Sequence, residues 1–328
     1  MMAVWHFLRL IRVQNLLIIA LTQYLMRYCI IEPIAQYIGT AGGLEVVLRM
    51  SNLDFFILSL STVMIAAAGN IINDYFDLRI DRVNKPEKII VGRHIKRRVA
   101  MGAHLVINSM GIIMGGIIAY KVGMIQLVVV HIFAAASLWY YATTFKRQLL
   151  IGNIIIALLA AVIPIIIGLY ELPMLNGHYG PQLLAADAGQ TNFNPVAYWV
   201  LAFGAFAFLV TLAREITKDI ADMQGDDKYG CRSFPIVYGT RASITVVSVI
   251  YLAIVVIAFY LQATYLQDKF TRFYTIFGIA LPMIATGIKT ITAKTPKAYN
   301  TASTFNKLAT IAGILASLVV YFYITQEF

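Results

Sequence analysis

The segment Phe55-Phe-Ile-Leu-Ser-Leu-Ser-Thr-Val-Met-Ile-Ala-Ala-Ala-Gly-Asn70 runs without a charge into Ile71-Ile-Asn-Asp74-Tyr-Phe-Asp77-Leu-Arg-Ile-Asp81. An apolar run long enough to cross lipid thus ends in polar and acidic residues at 70, 74, 77 and 81. At about 100° per residue these offsets fall at roughly 0°, 40°, 340° and 20°, one narrow stripe on a helix. The same rhythm recurs in Glu215-Ile-Thr-Lys-Asp219-Ile-Ala-Asp222-Met-Gln-Gly-Asp226. Eight of the sixteen acidic residues (Asp74, Asp77, Asp81, Glu215, Asp219, Asp222, Asp226 and Asp227) lie in or beside these two stretches. A mostly apolar chain has gathered its negative charge on two helix faces.

The surrounding composition fixes the solvent. Apolar residues make up 60% of the 328 and charged ones 13%, about half the charged share of a soluble domain. Continuous apolar runs reach the roughly 20 residues needed to cross a ~30 Å hydrocarbon core, and they do not alternate as barrel strands do. The fold class is therefore all-α: a polytopic membrane protein with about nine transmembrane helices. The spans fall near 8–31, 53–76, 99–120, 124–145, 149–170, 196–213, 242–264, 273–291 and 305–325. No linker divides the chain, so residues 1–328 form one domain. The first run reads as a span, because it is too long for a signal peptide and has no small-residue cleavage site.

Orientation follows from the cations. With the N-terminus in the cytoplasm, all 26 Lys and Arg except Arg27, Arg49, Lys121, Lys269 and Arg272 lie on the inner side of an inner or plasma membrane. The net charge of +10 is then a topology signal, and no nucleic-acid partner is expected. Both acidic stretches fall at inner helix ends and can face one another across one cavity. The segments 32–52 and 171–195 (Pro173, Gly177, Gly180, Pro181, Gly189 and Pro195) read as outer loops, the second irregular. Segment 82–98 reads as a basic inner loop and about 223–241 as a second inner loop. Cys29 and Cys231 match no metal or redox spacing.

Oxygen ligands on two facing helices, with no His or Cys among them, suit a hard cation that shares its shell with phosphate, and Mg²⁺ is the first choice. The expected metal residues are Asn70, Asn73, Asp74, Asp77, Asp81, Asp219, Asp222 and Asp226. Lys146 and Arg147 at the inner end of span four, with Arg214 and Lys218 among the second acids, are placed to hold an anion beside the metal. Acids, bases and a hard cation together read as diphosphate binding. In a membrane the fitting diphosphate carries a prenyl tail. Loss of diphosphate leaves an allylic cation, which a dry, aromatic pocket stabilises; Tyr75, Phe76, Tyr140, Tyr141, Phe145, Phe206 and Phe208 lie nearby. Asp74, Asp77, Asp219, Asp222 and Lys146 are the expected catalytic residues. Asp81, Asp226 or the departing diphosphate would take the acceptor's proton.

At these residues the chain resembles the UbiA superfamily of intramembrane prenyltransferases. Asn73, Asp74, Asp77 and Asp81 are similar to its first acidic motif, and Asp219, Asp222 and Asp226 to its second. The stretches from Tyr140 to Asn153 and from Gly230 to Gly239 add to the likeness. The resemblance implies a ring of nine helices around a central cavity, two Mg²⁺ ions and a lateral opening to lipid. The run Gly69-Asn70 to Asp77, with Asp81, Asn84 and Pro86, is most similar to archaeal-type members that join a geranylgeranyl group to geranylgeranylglyceryl phosphate. The chain departs from their expected ending at Lys85-Pro86-Glu87-Lys88. Lys85, Lys88 or Arg93 would meet the phosphate of such an acceptor. The alternative acceptor is an aromatic quinone precursor. More distant alternatives are a CDP-alcohol phosphatidyltransferase, whose Asp-x-x-Asp-Gly is broken here by Leu78, and a cation transporter, which needs ionisable groups near mid-membrane.

Overall fold

The computed structural model describes residues 2–187 and 191–326, and within them it holds twelve α-helices and no strand. A short α1 (Met2–Leu10) precedes α2 (Val13–Leu25), which continues through a π-helical turn, Met26–Ile31, into α3 (Glu32–Ala41). Then follow α4 (Asn52–Asn84), α5 (Arg97–Lys121), α6 (Val128–Thr143), α7 (Ile151–Asp187) and α8 (Asn194–Lys228). α9 (Phe234–Tyr265), α10 (Lys269–Tyr274), α11 (Leu281–Thr292) and α12 (Pro296–Gln326) complete the chain. Nine helical segments among the described residues are long and apolar enough to span a bilayer, the α2–α3 and α10–α11 pairs each counting as one. The chain is an integral membrane protein.

The helices pack as a ring. α4 lies against α5 and α6, α7 against α8, α8 against α9 and α12, and α11 against α12. The N-terminal α2 touches α4, α7 and α12, which closes the circle. At about 1.5 Å per residue, the 33 residues of α4 and the 35 of α8 reach roughly 50 Å. Both overshoot a ~30 Å hydrocarbon core. Their surplus carries the acidic stripes past the apolar zone, so carboxylates sit at one rim and not in lipid. Ser51 starts α4 by accepting a 3.1 Å hydrogen bond from the Asp54 amide. α8 starts with Pro195 in its first turn, where a missing N–H costs nothing.

The opposite end corrects two expectations. The segment 32–52 is not all loop, since its first half is α3. Nor is 171–195 irregular: α7 continues to Asp187 through Pro173, Gly177, Gly180 and Pro181. Gly189 lies outside the described residues. The helix survives its breakers because every fourth residue is anchored. Glu171, Leu175, Tyr179 and Leu183 are all buried in one stripe, and the three apolar ones join Ile38, Val46 and Met50 in the largest apolar core. Glu171 is the stripe's polar member, wholly inaccessible to solvent. It receives 3.1 Å and 3.2 Å bonds from the Arg27 guanidinium and the Met50 amide, and another from the Arg49 amide. Arg27 also donates to the Met50 carbonyl. Three segments are thus tied by one buried ion pair.

Removing one partner of a buried pair strands the other charge. Glu171→Ala should lower stability by about 3–5 kcal/mol, read as a large drop in the melting temperature of the detergent-solubilised protein. Loss of less than about 1 kcal/mol would show that water or lipid headgroups already neutralise Arg27.

Candidate active site

Both acidic stripes turn inward on a single cavity of about 550 Å³. From α4 it takes Asn70, Asn73, Asp74, Asp77 and Asp81, and from α8 it takes Arg214, Glu215, Lys218, Asp219, Asp222 and Asp226. Lys146, in the short 3₁₀ turn after α6, reaches the same space. The helical spacing that put these side chains on one face of each helix is what lets two separate helices supply one site. The other half of the cavity is apolar, with Ile18, Ile65, Leu138, Leu159, Ile163 and Ile314 on its wall. A charged mouth and an oily shaft share one continuous space.

Five of the carboxylates at the mouth, Asp74, Asp77, Glu215, Asp219 and Asp222, bond a neighbouring side chain. The Arg12 guanidinium donates to Asp74 Oδ1 at 2.7 Å and to Asn70 Oδ1 at 3.2 Å, while Asn70 donates to the Ile11 carbonyl at 2.9 Å. Asp77, buried, accepts from Lys146 and, at 2.7 Å, from the Asn73 amide. Asp222 receives Lys85 at 2.6 Å, and Asp219 receives the Asn153 amide at 2.8 Å. Lys218 and Arg214 both turn back on Glu215, at 2.8 Å and 3.1 Å. Glu215 therefore shares the acidic stripe but serves as the local counter-ion that orders two cations. Among the described residues, no three Asp, Glu, His or Cys side chains are gathered closely enough to hold an ion unaided. Asp74, Asp77 and Asp222 are each drawn onto a separate cation, Arg12, Lys146 and Lys85.

The two stripes are also joined directly. Asn84, at the end of α4, donates to the Asp222 carbonyl at 3.0 Å and accepts from the Gly225 amide at 2.9 Å. A Cβ at position 225 would fall 2.4 Å from Asn84 Oδ1, so the helices approach this closely only because residue 225 is glycine.

Several placements differ from expectation or were not foreseen. Arg147 does not line the cavity. It lies in a separate pocket with Arg79, Arg82, Arg97, Tyr75 and Phe76, because the turn that sends Lys146 inward sends its neighbour outward. Arg12 was not foreseen. It sits in the left-handed region at φ 54°, between α1 and α2, a conformation rare for a residue with a side chain. Two amides were likewise not foreseen: Asn153, which bonds the Asp219 carboxylate, and Asn84, which bonds backbone groups of α8. Of the aromatic residues, Tyr141 and Phe206 line the cavity, together with Phe203. Lys85 and Lys88 line it too, whereas Arg93 is not among its lining residues.

Comparisons with known proteins follow the geometry. Residues 40–314 match the model of the UbiA prenyltransferase family. The chain is 32% identical over 305 residues to the digeranylgeranylglyceryl phosphate synthase of Methanospirillum hungatei, covering 89% of this chain and 95% of that one. Its fold is similar to a solved digeranylgeranylglyceryl phosphate synthase structure, with a TM-score of 0.57 and 21% identity over 97% of this chain and 100% of that one. It is also similar in fold to a UbiA homologue from Archaeoglobus fulgidus solved with GPP and Mg²⁺, at a TM-score of 0.52 and 15% identity over 96% and 99% of the two chains. The chain belongs to the UbiA prenyltransferase family.

Proposed function

We propose that this protein transfers a geranylgeranyl group from its diphosphate to geranylgeranylglyceryl phosphate, forming an ether bond. One observation carries the reading: two acidic helix faces oppose each other at the mouth of a cavity whose remaining depth is apolar. Such a space fits a molecule with a polyanionic head and a hydrocarbon tail. The likeness to the M. hungatei synthase over most of both chains supports the choice of donor and acceptor.

The donor set suits Mg²⁺. It is made of carboxylate and amide oxygens alone, and Asn73 Oδ1 is buried at the cavity without a hydrogen-bond partner. Asn70, Asn73, Asp74, Asp77 and Asp81 would hold one ion, and Asp219, Asp222 and Asp226 a second. When bound, the ions supply positive charge to the diphosphate oxygens.

The remaining work belongs to the chain. Lys146, Arg214 and Lys218 bind the diphosphate, and Arg12 and Lys85, already held at the mouth by Asp74 and Asp222, add two more cations. Their charge stabilises the leaving group as the allylic C1–O bond breaks. The ring faces of Tyr141 and Phe206 and the apolar wall keep water from the cation. The acceptor hydroxyl then bonds C1, and its proton passes to Asp81, Asp226 or the released diphosphate. Lys85 and Lys88 meet the acceptor's phosphate at the rim. The acidic rim faces the cytoplasm in this reading, which the excess of Lys and Arg on that side supports; a cysteine placed at Arg93 should be labelled only from the inside.

The direct test incubates the protein in bilayer discs with geranylgeranyl diphosphate and geranylgeranylglyceryl phosphate. Mass spectrometry should find the diether phosphate with Mg²⁺ and none with EDTA; transfer to an aromatic acid instead would overturn the acceptor assignment. Asp74→Ala and Asp222→Ala should each lower kcat by more than about 100-fold while the protein still elutes as a folded species. Appreciable turnover in either would remove the two stripes from catalysis.

Arg12→Gly separates side chain from backbone, since glycine adopts the left-handed conformation without strain. It should keep the melting temperature and lose about 10-fold or more in kcat/KM. Lys85→Ala and Lys88→Ala should raise KM for the acceptor far more than for the donor, and equal effects would place both lysines on the diphosphate.

A further inference from the structure

The charged mouth leaves unexplained a polar cluster at the other end of the same cavity. His131 of α6 lines the cavity and is only 2% exposed. Its Nδ1 lies 3.0 Å from Ser61 Oγ of α4, and its Nε2 lies 3.1 Å from the Tyr170 hydroxyl of α7. Ser61 Oγ donates at 2.7 Å to the Gly111 carbonyl of α5. That bond engages the serine's one proton, which leaves Ser61 Oγ to accept from His131 Nδ1. The Tyr170 hydroxyl lies within reach of both His131 Nε2 and the Gly115 carbonyl, at 3.1 Å and 3.4 Å. A Cβ on Gly115 would fall 2.5 Å from the ring, so the imidazole lies directly on the α5 backbone and cannot retreat. Polar groups this deep in a membrane protein are costly to bury and are retained where they do something. This one joins four helices and fixes one ring against the cavity.

The depth of the shaft says what the ring meets. Inward of its innermost acids, the lining runs on α4 from Asp74 to Thr62 and on α8 from Glu215 to Phe203, while the other acids extend outward to Asp81 and Asp226. Each run is 12 residues (74 − 62 and 215 − 203), about 18 Å at 1.5 Å per residue. Thr62 is next to Ser61, so His131 lies at this lower limit. Beneath it, Tyr170 and Ile167 belong to a core of fully buried residues that includes Phe55, Leu58 and Val196. An extended prenyl chain adds about 5 Å per five-carbon unit, from ordinary C–C bond lengths. A wall about 18 Å below the innermost acids leaves room for close to four units.

We propose that His131, locked by Ser61 and Tyr170 against Gly115, is the end wall that sets the length of the prenyl donor. This rests on the prenyl-transfer reading above. A flexible aliphatic floor would yield to a longer tail, whereas a ring bonded at both nitrogens does not. Ala134, one turn nearer the mouth on α6 and also in the lining, is the position from which a larger side chain would shorten the shaft without touching the bonds of His131.

The experiment offers C10, C15, C20, C25 and C30 prenyl diphosphates as one mixture with a single acceptor. Product ratios are read by mass spectrometry, which cancels differences in the amount of folded protein. The wild type should favour C20 over C25 and C30. His131→Ala should raise the C25:C20 ratio about tenfold, and Ala134→Phe should raise the C15:C20 ratio about tenfold, a difference of the size that one misfitting apolar group imposes. Wild-type protein that uses C15 to C30 donors equally would place the tail's end outside the bundle, through a lateral opening, and overturn the proposal. So would unchanged ratios in both variants. Ala134→Phe keeps the hydrogen-bonded cluster, so failure of His131→Ala to fold does not decide the matter. If the wild type transfers no donor at all, the prenyl-transfer reading fails separately. The wall is then tested by the rise in melting temperature that each diphosphate produces, with the same C20 preference expected and equal rises for all lengths overturning it.

Discussion

Seven carboxylates facing one another at the edge of a membrane would repel strongly if they stood alone. The cavity mouth meets this constraint by counting. Asp74, Asp77, Asp81, Glu215, Asp219, Asp222 and Asp226 line it, and so do eight cations: Arg9, Arg12, Lys85, Lys88, Lys146, Arg214, Lys218 and Lys307. The charges at the mouth are close to balanced, which offsets the repulsion among the acids. A diphosphate with its divalent ions would arrive as a unit of small net charge, because the opposite charges largely cancel within it. It could therefore take the place of the internal ion pairs without changing the balance. Asp74, Asp77 and Asp222 would hold the metal, and Arg12, Lys85 and Lys146, their partners here, would then be available to the phosphate oxygens.

The other end of the bundle is built on the opposite principle. There the stripe of Leu175, Tyr179 and Leu183, the segment around Val46 to Met50 and the π-helical turn at Met26–Ile31 fill the space completely. The Arg27–Glu171 pair is the exception: backbone groups of the loop it pins bond both partners, while Arg27 Nε stays buried without a hydrogen-bond partner. A ring of helices left open at both ends would be a channel. This one is stoppered by its own connections, and the cavity becomes a blind shaft.

How much of this the sequence discloses depends on whether a signal is periodic. The spans and the two stripes are periodic and were legible as such: the 0, 4, 7, 11 rhythm placed Asp74, Asp77, Asp219 and Asp222 in one cavity. The prolines and glycines of 173–181 hid a helix, since their local meaning is a break. The four-residue anchoring of Glu171, Leu175, Tyr179 and Leu183 was present in the sequence and outweighed that signal. Arg12 and Asn153 gave no periodic sign at all. Each is a single polar residue near a span's end, and its partnership with Asp74 or Asp219 exists only once the ring has closed. Lys146 and Arg147 show the remaining limit, for adjacent residues in a tight turn point to different sides and no spacing rule tells which one faces inward.

The distance between the stripes is set by something other than their charges. Carboxylates on α4 and α8 would push the helix ends apart, and the ion pairs that restrain them run mostly within one wall or to a third segment. The direct tie is Asn84, whose amide bonds both the carbonyl of Asp222 and the N–H of Gly225. Neither bond involves an ionised group, so neither is weakened when cations leave the acids for a substrate. The glycine is what makes the tie possible, because any Cβ there would occupy the position of the Asn84 side chain. Electrostatic catalysis needs charged groups held at fixed spacing before the reaction begins. A neutral amide clamp provides this at the one point where the charged groups themselves act to spread the site.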